Sequence, residues 1–254
     1  GAAQEMHRRW FESHLGKFNL IYKNRSDEFH GLGIAGPKSR DLLQKIVRED
    51  VSNDKFKFRD SRKMFVAGVP AIVNRLSFTG ELGYEIYVAP HFQIKLYEEL
   101  MEAGKEFNIK PFGSRALMSM RLEKNWGAWT LDYRPDFTAK ETGLDVFINW
   151  NKEFIGKNYA KKDESKNKLV PLIVETNDID VTYNEAVMKG DKSIGYVTSG
   201  GFAHFVNKSV ALSYLDTNEL NSGKGIQVEI NGDLFNCSII KEPLYDPSGQ
   251  KMRN

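Results

Sequence analysis

The chain is nearly without cysteine: Cys237 is the only one in 254 residues. One thiol excludes an internal disulfide and any metal site built on cysteines, and it fits a reducing compartment. Net charge is equally scarce. Lys and Arg total 36 against 34 Asp and Glu, a balance of +2. No strongly basic surface therefore points to nucleic acid. No apolar run approaches the roughly 20 residues needed to span a bilayer, so no membrane partner is expected. No secretory signal is legible at the start.

What remains is the composition of a soluble globular protein, 41% hydrophobic and 28% charged. The length suits one large domain or two ordinary ones. Gly1-Ala2-Ala3 lead, without a methionine, into a helical pattern that reads as already under way, as in a fragment of a longer chain.

The most informative stretch runs from Arg75 through Phe78-Thr79-Gly80-Glu81-Leu82-Gly83 to Tyr84-Glu85-Ile86-Tyr87-Val88. Before it, Ala71, Val73 and Arg75 alternate with Ile72, Asn74 and Leu76, the period of a half-buried strand. Gly80 and Gly83 permit positive φ or close backbone approach. Tyr84 to Val88 is aromatic and β-branched and resumes the strand. Its period of two puts Tyr84, Ile86 and Val88 on one face and Glu85 with Tyr87 on the other. An ionised carboxylate accepts two parallel hydrogen bonds, which suits a flat heterocycle with adjacent N–H donors. The same residues also read as a hairpin turn followed by a solvated strand carboxylate.

Elsewhere in the first part, Met6, Trp10, Phe11 and Leu15 have helical spacing, and Phe18, Leu20 and Tyr22 alternate like a strand. Phe29 to Ala35 reads as a buried strand. Gly36-Pro37-Lys38-Ser39 opens a helix with Leu42, Leu43, Ile46 and Val47 inward. It reads either as an anion-binding helix start or as a plain strand-to-helix turn. Ala67-Gly68-Val69-Pro70 marks a hairpin. Pro90 opens a helix running to Gly104, and Ser114 another that carries Arg115, Arg121, Glu123 and Lys124. Trp126 and Trp129 lie in a glycine-broken loop, where a ring either stacks on a ligand or packs in the core. Leu144 to Ile148 reads as a closing strand. This rhythm is that of a split β-α-β, ferredoxin-like α+β layer.

Residues 158–168 are rich in Lys, Asp, Glu and Asn and make the best boundary, giving domains at 1–160 and 168–254. Beyond it come short strands at 169–174, 187, 194–198, 210–215, 226–230 and 235–240. Lys189-Gly190-Asp191, Asn221-Ser222-Gly223 and Asn231-Gly232-Asp233 separate them, a small all-β barrel or sandwich. Ser199-Gly200-Gly201-Phe202-Ala203-His204 is glycine-rich but lacks the lysine and following helix of a P-loop.

Arg75-x-Ser77-Phe78-Thr79-Gly80-Glu81-Leu82-Gly83-Tyr84-Glu85-Ile86-Tyr87 resembles the signature of the glycine-cleavage T-protein family of folate-dependent aminomethyltransferases. Arg121-Leu-Glu-Lys124, Trp129, Glu141-Thr-Gly-Leu144, Phe154-Ile-Gly-Lys157, Gly195-Tyr-Val-Thr-Ser-Gly-Gly201 and Tyr245-Asp-Pro247 resemble one branch of it. That branch is the C-terminal tetrahydrofolate part of FAD-dependent dimethylglycine and sarcosine dehydrogenases. The resemblance covers nearly the whole chain.

It implies an enzyme module that transfers a one-carbon unit, as aminomethyl or formaldehyde, to tetrahydrofolate. Glu85, Arg115, Phe78 and one of Trp126 and Trp129 would hold the folate. The loop at 199–204 would approach the folate channel, and Tyr245-Asp246-Pro247 with Arg253 would form a tail packing back on the folate domain. The family's catalytic aspartate has no match in the chain, since Asp132, Asp136 and Asp145 are poorly placed for it. Residues 1–160 are then the second half of the folate domain, and the piece alone is expected to be inactive. No Gly-x-Gly-x-x-Gly stands between a strand and a helix, so FAD would belong to an N-terminal flavin domain of the same polypeptide. That domain, a folate and a one-carbon donor are the partners implied. The implied location is cytoplasmic, or the mitochondrial matrix in a eukaryote. Phe78 stands where many relatives have tyrosine, which keeps the ring and loses a hydrogen bond of order 1 kcal/mol. A stand-alone aminomethyltransferase, a folate-dependent demethylase and a non-enzymatic folate-binding protein are the other readings.

Overall fold

A computed structural model describes residues 3–16, 19–162, 165–220 and 225–254. They divide into two compact units, Ala3–Leu117 with Ser248–Asn254, and Met118–Pro247. This division by contact falls well before the charged stretch at 158–168. The cause is that residues 118–147 are fastened to the barrel strands, as described below. Among the described residues no helix is long and apolar enough to cross a membrane.

The first unit starts with α1 (Gln4–Leu15), β1 (His30–Ala35), α2 (Ser39–Ile46), β2 (Ser61–Val66), β3 (Val69–Asn74) and β4 (Gly83–Val88). A 3-10 turn at Pro90–Phe92 leads into α3 (Gln93–Ala103), and α4 (Ser114–Glu123) follows. The sheet order is β1-β4-β3-β2, with every neighbouring pair antiparallel. β1 and β2, joined through α2, are thus held apart at the two edges. Tyr84, Ile86 and Val88 of β4 are buried with Val69, Ala71 and Val73 of β3 against Leu42, Leu43, Leu96 and Leu100. Each fully buried aliphatic side chain contributes roughly 1.5–3 kcal/mol. The β2–β3 turn is Ala67-Gly68, both at positive φ, the two-residue hairpin matched to strand twist.

Three expectations fail in this unit. The apolar stripe of α1 forms a helix but buries none of its residues. Leu20 and Tyr22 belong to no strand and are exposed; Phe18 lies outside the described residues. β1 is an edge strand with only Ile34 buried, because Gly31 and Gly33 give it little to bury.

The second unit carries α5 (Lys157–Lys161) and six strands: β5 (Asn167–Val174), β6 (Ala186–Lys189), β7 (Lys192–Ala203), β8 (Lys208–Asp216), β9 (Ile226–Ile230) and β10 (Asp233–Ile239). They close into a barrel in the order β10-β5-β8-β7-β6-β9. Leu172, Val187, Val197, Leu215 and Val228 are among its buried residues. The β9–β10 turn is Asn231-Gly232, both at positive φ. The turn read at 221–223 lies outside the described residues. The α+β class with a small all-β barrel at the C-terminal end is therefore the observed architecture.

Two segments of this unit differ from expectation. Ser199 to Ala203 is strand, not loop, and pairs with β8. A Cβ on Gly200 would sit 2.3 Å from the Val181 carbonyl oxygen, so close backbone approach requires that glycine. Residues 145–147 form a 3-10 turn, not a strand, with Val146 and Phe147 exposed.

Buried charges fasten the long connections. Asp132 is fully buried and accepts from Arg121 Nη1 at 2.6 Å, Ala128 N at 2.8 Å, Thr198 Oγ1 at 2.5 Å and Ser199 Oγ at 3.0 Å. It therefore joins the end of α4 and the following loop to β7. Glu141 does the same for β5, accepting from the backbone and side-chain nitrogens of Asn167 at 3.0 and 3.2 Å. In the first unit, buried Arg75 donates to the carbonyls of Phe56 at 2.6 Å and Arg253 at 2.7 Å. It thereby holds α6 (Gln250–Arg253) to that unit.

Removing one member of a buried ion pair strands the other, at a cost of about 3–5 kcal/mol. Asp132→Ala should lower stability by that amount in equilibrium urea unfolding of the chain. A midpoint equal to wild type would show that Asp132 is not the fastener.

Candidate functional site

The first unit contains a cavity of about 700 Å³. Its walls come from β1, the start of α2, the 76–79 loop, β4, α3, residues 107–112 and Leu117. The local sequence builds this arrangement. Gly36 N and Ser39 Oγ both donate to the Leu82 carbonyl, at 2.8 and 3.0 Å, so the start of α2 is tied to the loop before β4. A Cβ on Gly83 would lie 3.1 Å from the carbonyl oxygens of both Ile34 and Leu76. Close approach of three backbone segments thus explains that glycine.

Glu85 lines the cavity from β4 and is half-buried. Its partners across the sheet are Asn74 on β3 and Gly33 on β1, and at Gly33 a Cβ would meet nothing within 4 Å. The carboxylate therefore faces open space on the β1 side. Tyr87 donates its hydroxyl to Glu85 Oε2 at 2.8 Å. No hydrogen-bond donor among the described residues reaches Oε1. The Tyr87 pKa is pushed up to about 12, first by burial and then by its bond to the Glu85 carboxylate. Phe78, Tyr97 and Phe112 contribute aromatic wall, all of them partly exposed. Lys38 and Lys110 are the cations among the lining residues and are exposed. A carboxylate acceptor, aromatic walls and exposed ammonium groups suit a flat heterocycle with N–H donors that carries an anionic extension.

The five residues singled out in the sequence are not gathered in one place on one unit. Glu85 and Phe78 both line the cavity. Arg115 is exposed in the first turn of α4 and is not a lining residue, although Leu117, two positions on, is. Trp126 and Trp129 belong to the second unit. There Lys124 Nζ lies 5.6 Å from the Trp126 ring centroid, and Trp129 is exposed with its ring edge-on to Tyr133. Asp132 is engaged in the fastening bonds given above. Among the described residues no group of three or more His, Cys, Asp or Glu is suited to a metal ion.

Tyr87, Gly33, Lys38, Tyr97, Lys110 and Phe112 were not singled out as site residues in the sequence. For Tyr87 a signal existed, since the strand period puts it on the face of Glu85. For residues 107–112 none did, because only the packing of α3 brings them to β4.

The model of the family described as "GCVT N-terminal domain" matches residues 1–152, and that described as "Glycine cleavage T-protein C-terminal barrel domain" matches residues 167–246. The human protein "Dimethylglycine dehydrogenase, mitochondrial" is 37% identical over 252 residues, 96% of this chain and 29% of that protein. The chain thus spans under a third of that relative. "Aminomethyltransferase" of Caldanaerobacter subterraneus subsp. tengcongensis is 32% identical over 247 residues, covering 96% of this chain and 66% of that protein. The crystal structure of glycine cleavage system aminomethyltransferase T from Bartonella henselae shares the fold, with a TM-score of 0.83 at 20% identity, covering 96% of this chain and 67% of that one.

The two glycines at the cavity make opposite predictions. Gly33→Ala points into open space and should leave the urea midpoint unchanged. Gly83→Ala must push apart two carbonyl contacts and should cost about 1–3 kcal/mol, as overpacking does. Equal effects of the two substitutions would contradict the geometry.

Proposed function

The chain belongs to the glycine-cleavage T-protein family, and from that premise we propose that the cavity beside Glu85 binds tetrahydrofolate for one-carbon transfer. One observation carries the reading: Glu85, whose carboxylate keeps one oxygen without a donor among the described residues, lines a cavity of about 700 Å³ with aromatic walls. That volume is within the roughly 300–1,000 Å³ of small-molecule sites.

Bound tetrahydrofolate supplies the amine that accepts the one-carbon unit. Glu85 accepts the N–H donors of the pterin ring, an interaction strengthened by its charge. The Phe78 ring flanks the heterocycle, without the hydroxyl that a tyrosine would offer. Lys110 and Lys38, the latter 3.2 Å from Asp41, would meet the carboxylates of the folate tail, with Arg115 beyond the lining residues. The apolar walls keep water from the reactive carbon. Glu85 is the sole carboxylate among the described lining residues and is assigned to holding ligand, so the proton-accepting base is not assigned to this chain.

We take the one-carbon donor to be an N-methyl amine oxidised by a flavin domain of the parent protein. The higher identity to dimethylglycine dehydrogenases, 37–38% against 31–33% for the aminomethyltransferases, favours this. The 66–67% of those transferases' length that the chain spans favours the second reading, a glycine-cleavage-type transferase. The mitochondrial dehydrogenase relatives support a matrix location in a eukaryotic host.

Calorimetric titration with 5-formyltetrahydrofolate tests the site. The chain should bind saturably, and Glu85→Gln should weaken binding at least 10-fold, about 1.4 kcal/mol. Gly33→Leu, which fills the space opposite Glu85, should abolish it. No binding by a folded chain, or binding unaffected by both substitutions, would overturn the proposal.

A further inference from the structure

We propose that Tyr87 is a positioning residue, holding the ligand-binding carboxylate of Glu85 from outside the cavity. The proposal rests on the reading of that cavity as the folate site. Tyr87 itself is not among the lining residues. It acts through Glu85, to which its hydroxyl donates at 2.8 Å.

Three features of the sheet make the arrangement specific. First, residues two apart on a strand share a face, so the phenol of position 87 reaches back to the carboxylate of position 85. Second, the residue paired with Tyr87 on β1 is Gly31, with Ile72 on its β3 side. A Cβ there would fall 2.9 Å from Cε1 and 3.2 Å from Cδ1 of the Tyr87 ring. The ring occupies the room that any other residue on β1 would need. Third, the residue paired with Glu85 on β1 is Gly33, beside which there is open space, while Asn74 pairs with it on β3. One glycine lets the ring lie down, and the next leaves the carboxylate uncovered.

Glu85 has no other hydrogen-bond donor among the described residues, so the phenol is its anchor. Burial and the neighbouring carboxylate keep that phenol protonated far above neutrality, with its pKa near 12. It therefore donates throughout the physiological range. With Oε2 engaged and Oε1 open, the carboxylate is ordered before the ligand arrives. An unanchored glutamate would lose its rotamer freedom on binding, worth about 2- to 10-fold in affinity.

The experiment measures binding of 5-formyltetrahydrofolate by calorimetry to wild type, Tyr87→Phe, Gly31→Ala, Glu85→Gln and the Tyr87→Phe/Glu85→Gln double variant. Tyr87→Phe and Gly31→Ala should each weaken binding about 2- to 10-fold. On the Glu85→Gln background, Tyr87→Phe should cause no further loss. A second readout needs no ligand. The alkaline ultraviolet difference between wild type and Tyr87→Phe isolates the Tyr87 phenol, and Glu85→Gln should lower its midpoint.

If wild type binds and Tyr87→Phe binds as tightly, or loses as much affinity with glutamine at 85 as with glutamate, Tyr87 merely packs and the proposal is overturned. If wild type binds no folate, the folate reading falls and the phenol titration decides. A midpoint unmoved by Glu85→Gln overturns the link between the two residues; a lowered midpoint upholds it for whatever ligand the cavity takes.

Discussion

The candidate site depends on one constraint: β4 is paired on both sides, to β1 and to β3. A strand held by two neighbours has a fixed register, and with a period of two its faces cannot be exchanged. Burial of Tyr84, Ile86 and Val88 fixes the orientation. Glu85 and Tyr87 are thereby committed to the opposite face, towards the glycines of β1. A slip of one residue would bury both and expose the apolar triplet. Core packing and the aim of the carboxylate are thus the same choice, made once by the strand.

The long connections are held by buried polar groups instead of apolar area. Arg75, Arg121, Lys124 and Asp132 are all nearly inaccessible to water. Each recovers part of its lost hydration in directed bonds, while Nε of Arg75 and of Arg121 is buried without a hydrogen-bond partner among the described residues. Arg75 uses two carbonyls, and Lys124 donates to the carbonyls of Tyr245 and Asp246 at 3.0 and 2.5 Å. Such bonds add little net stability over a well-packed apolar alternative, and breaking one is costly. Their effect is to give irregular segments a single attachment point. This accounts for compact units that divide at residue 117, whereas the two family matches end at 152 and resume at 167, on either side of the charged stretch.

Much of the fold was legible. The β2–β3 and β9–β10 turns were carried by Gly68 and Gly232, the second after an asparagine that tolerates positive φ, and the barrel strands by their spacing. The alternation at 84–88 is local and strong, so Glu85 stood out together with Phe78. The failures share a cause. Helical or alternating apolar residues at 4–15 and 20–22 stay unburied among the described residues, with Phe11 set against Tyr22, and periodicity reports only which face is apolar, not what covers it. Ser199-Gly200-Gly201 looked like a loop because Gly200 makes room for a neighbouring backbone at Val181, which no local pattern reveals.

By itself the sequence determined the α+β class, the C-terminal barrel, the family and the face on which Glu85 stands, because each follows from short-range periodicity, turn chemistry or ordered motifs. Only the tertiary structure decided that Gly31 and Gly33 lie opposite Tyr87 and Glu85, 56 and 52 positions away in sequence. It also brought Lys38, Tyr97 and residues 107–112 to the same cavity. Those placements are set by strand pairing and by helix packing on the sheet, interactions between residues far apart in the chain that leave no mark in its local pattern.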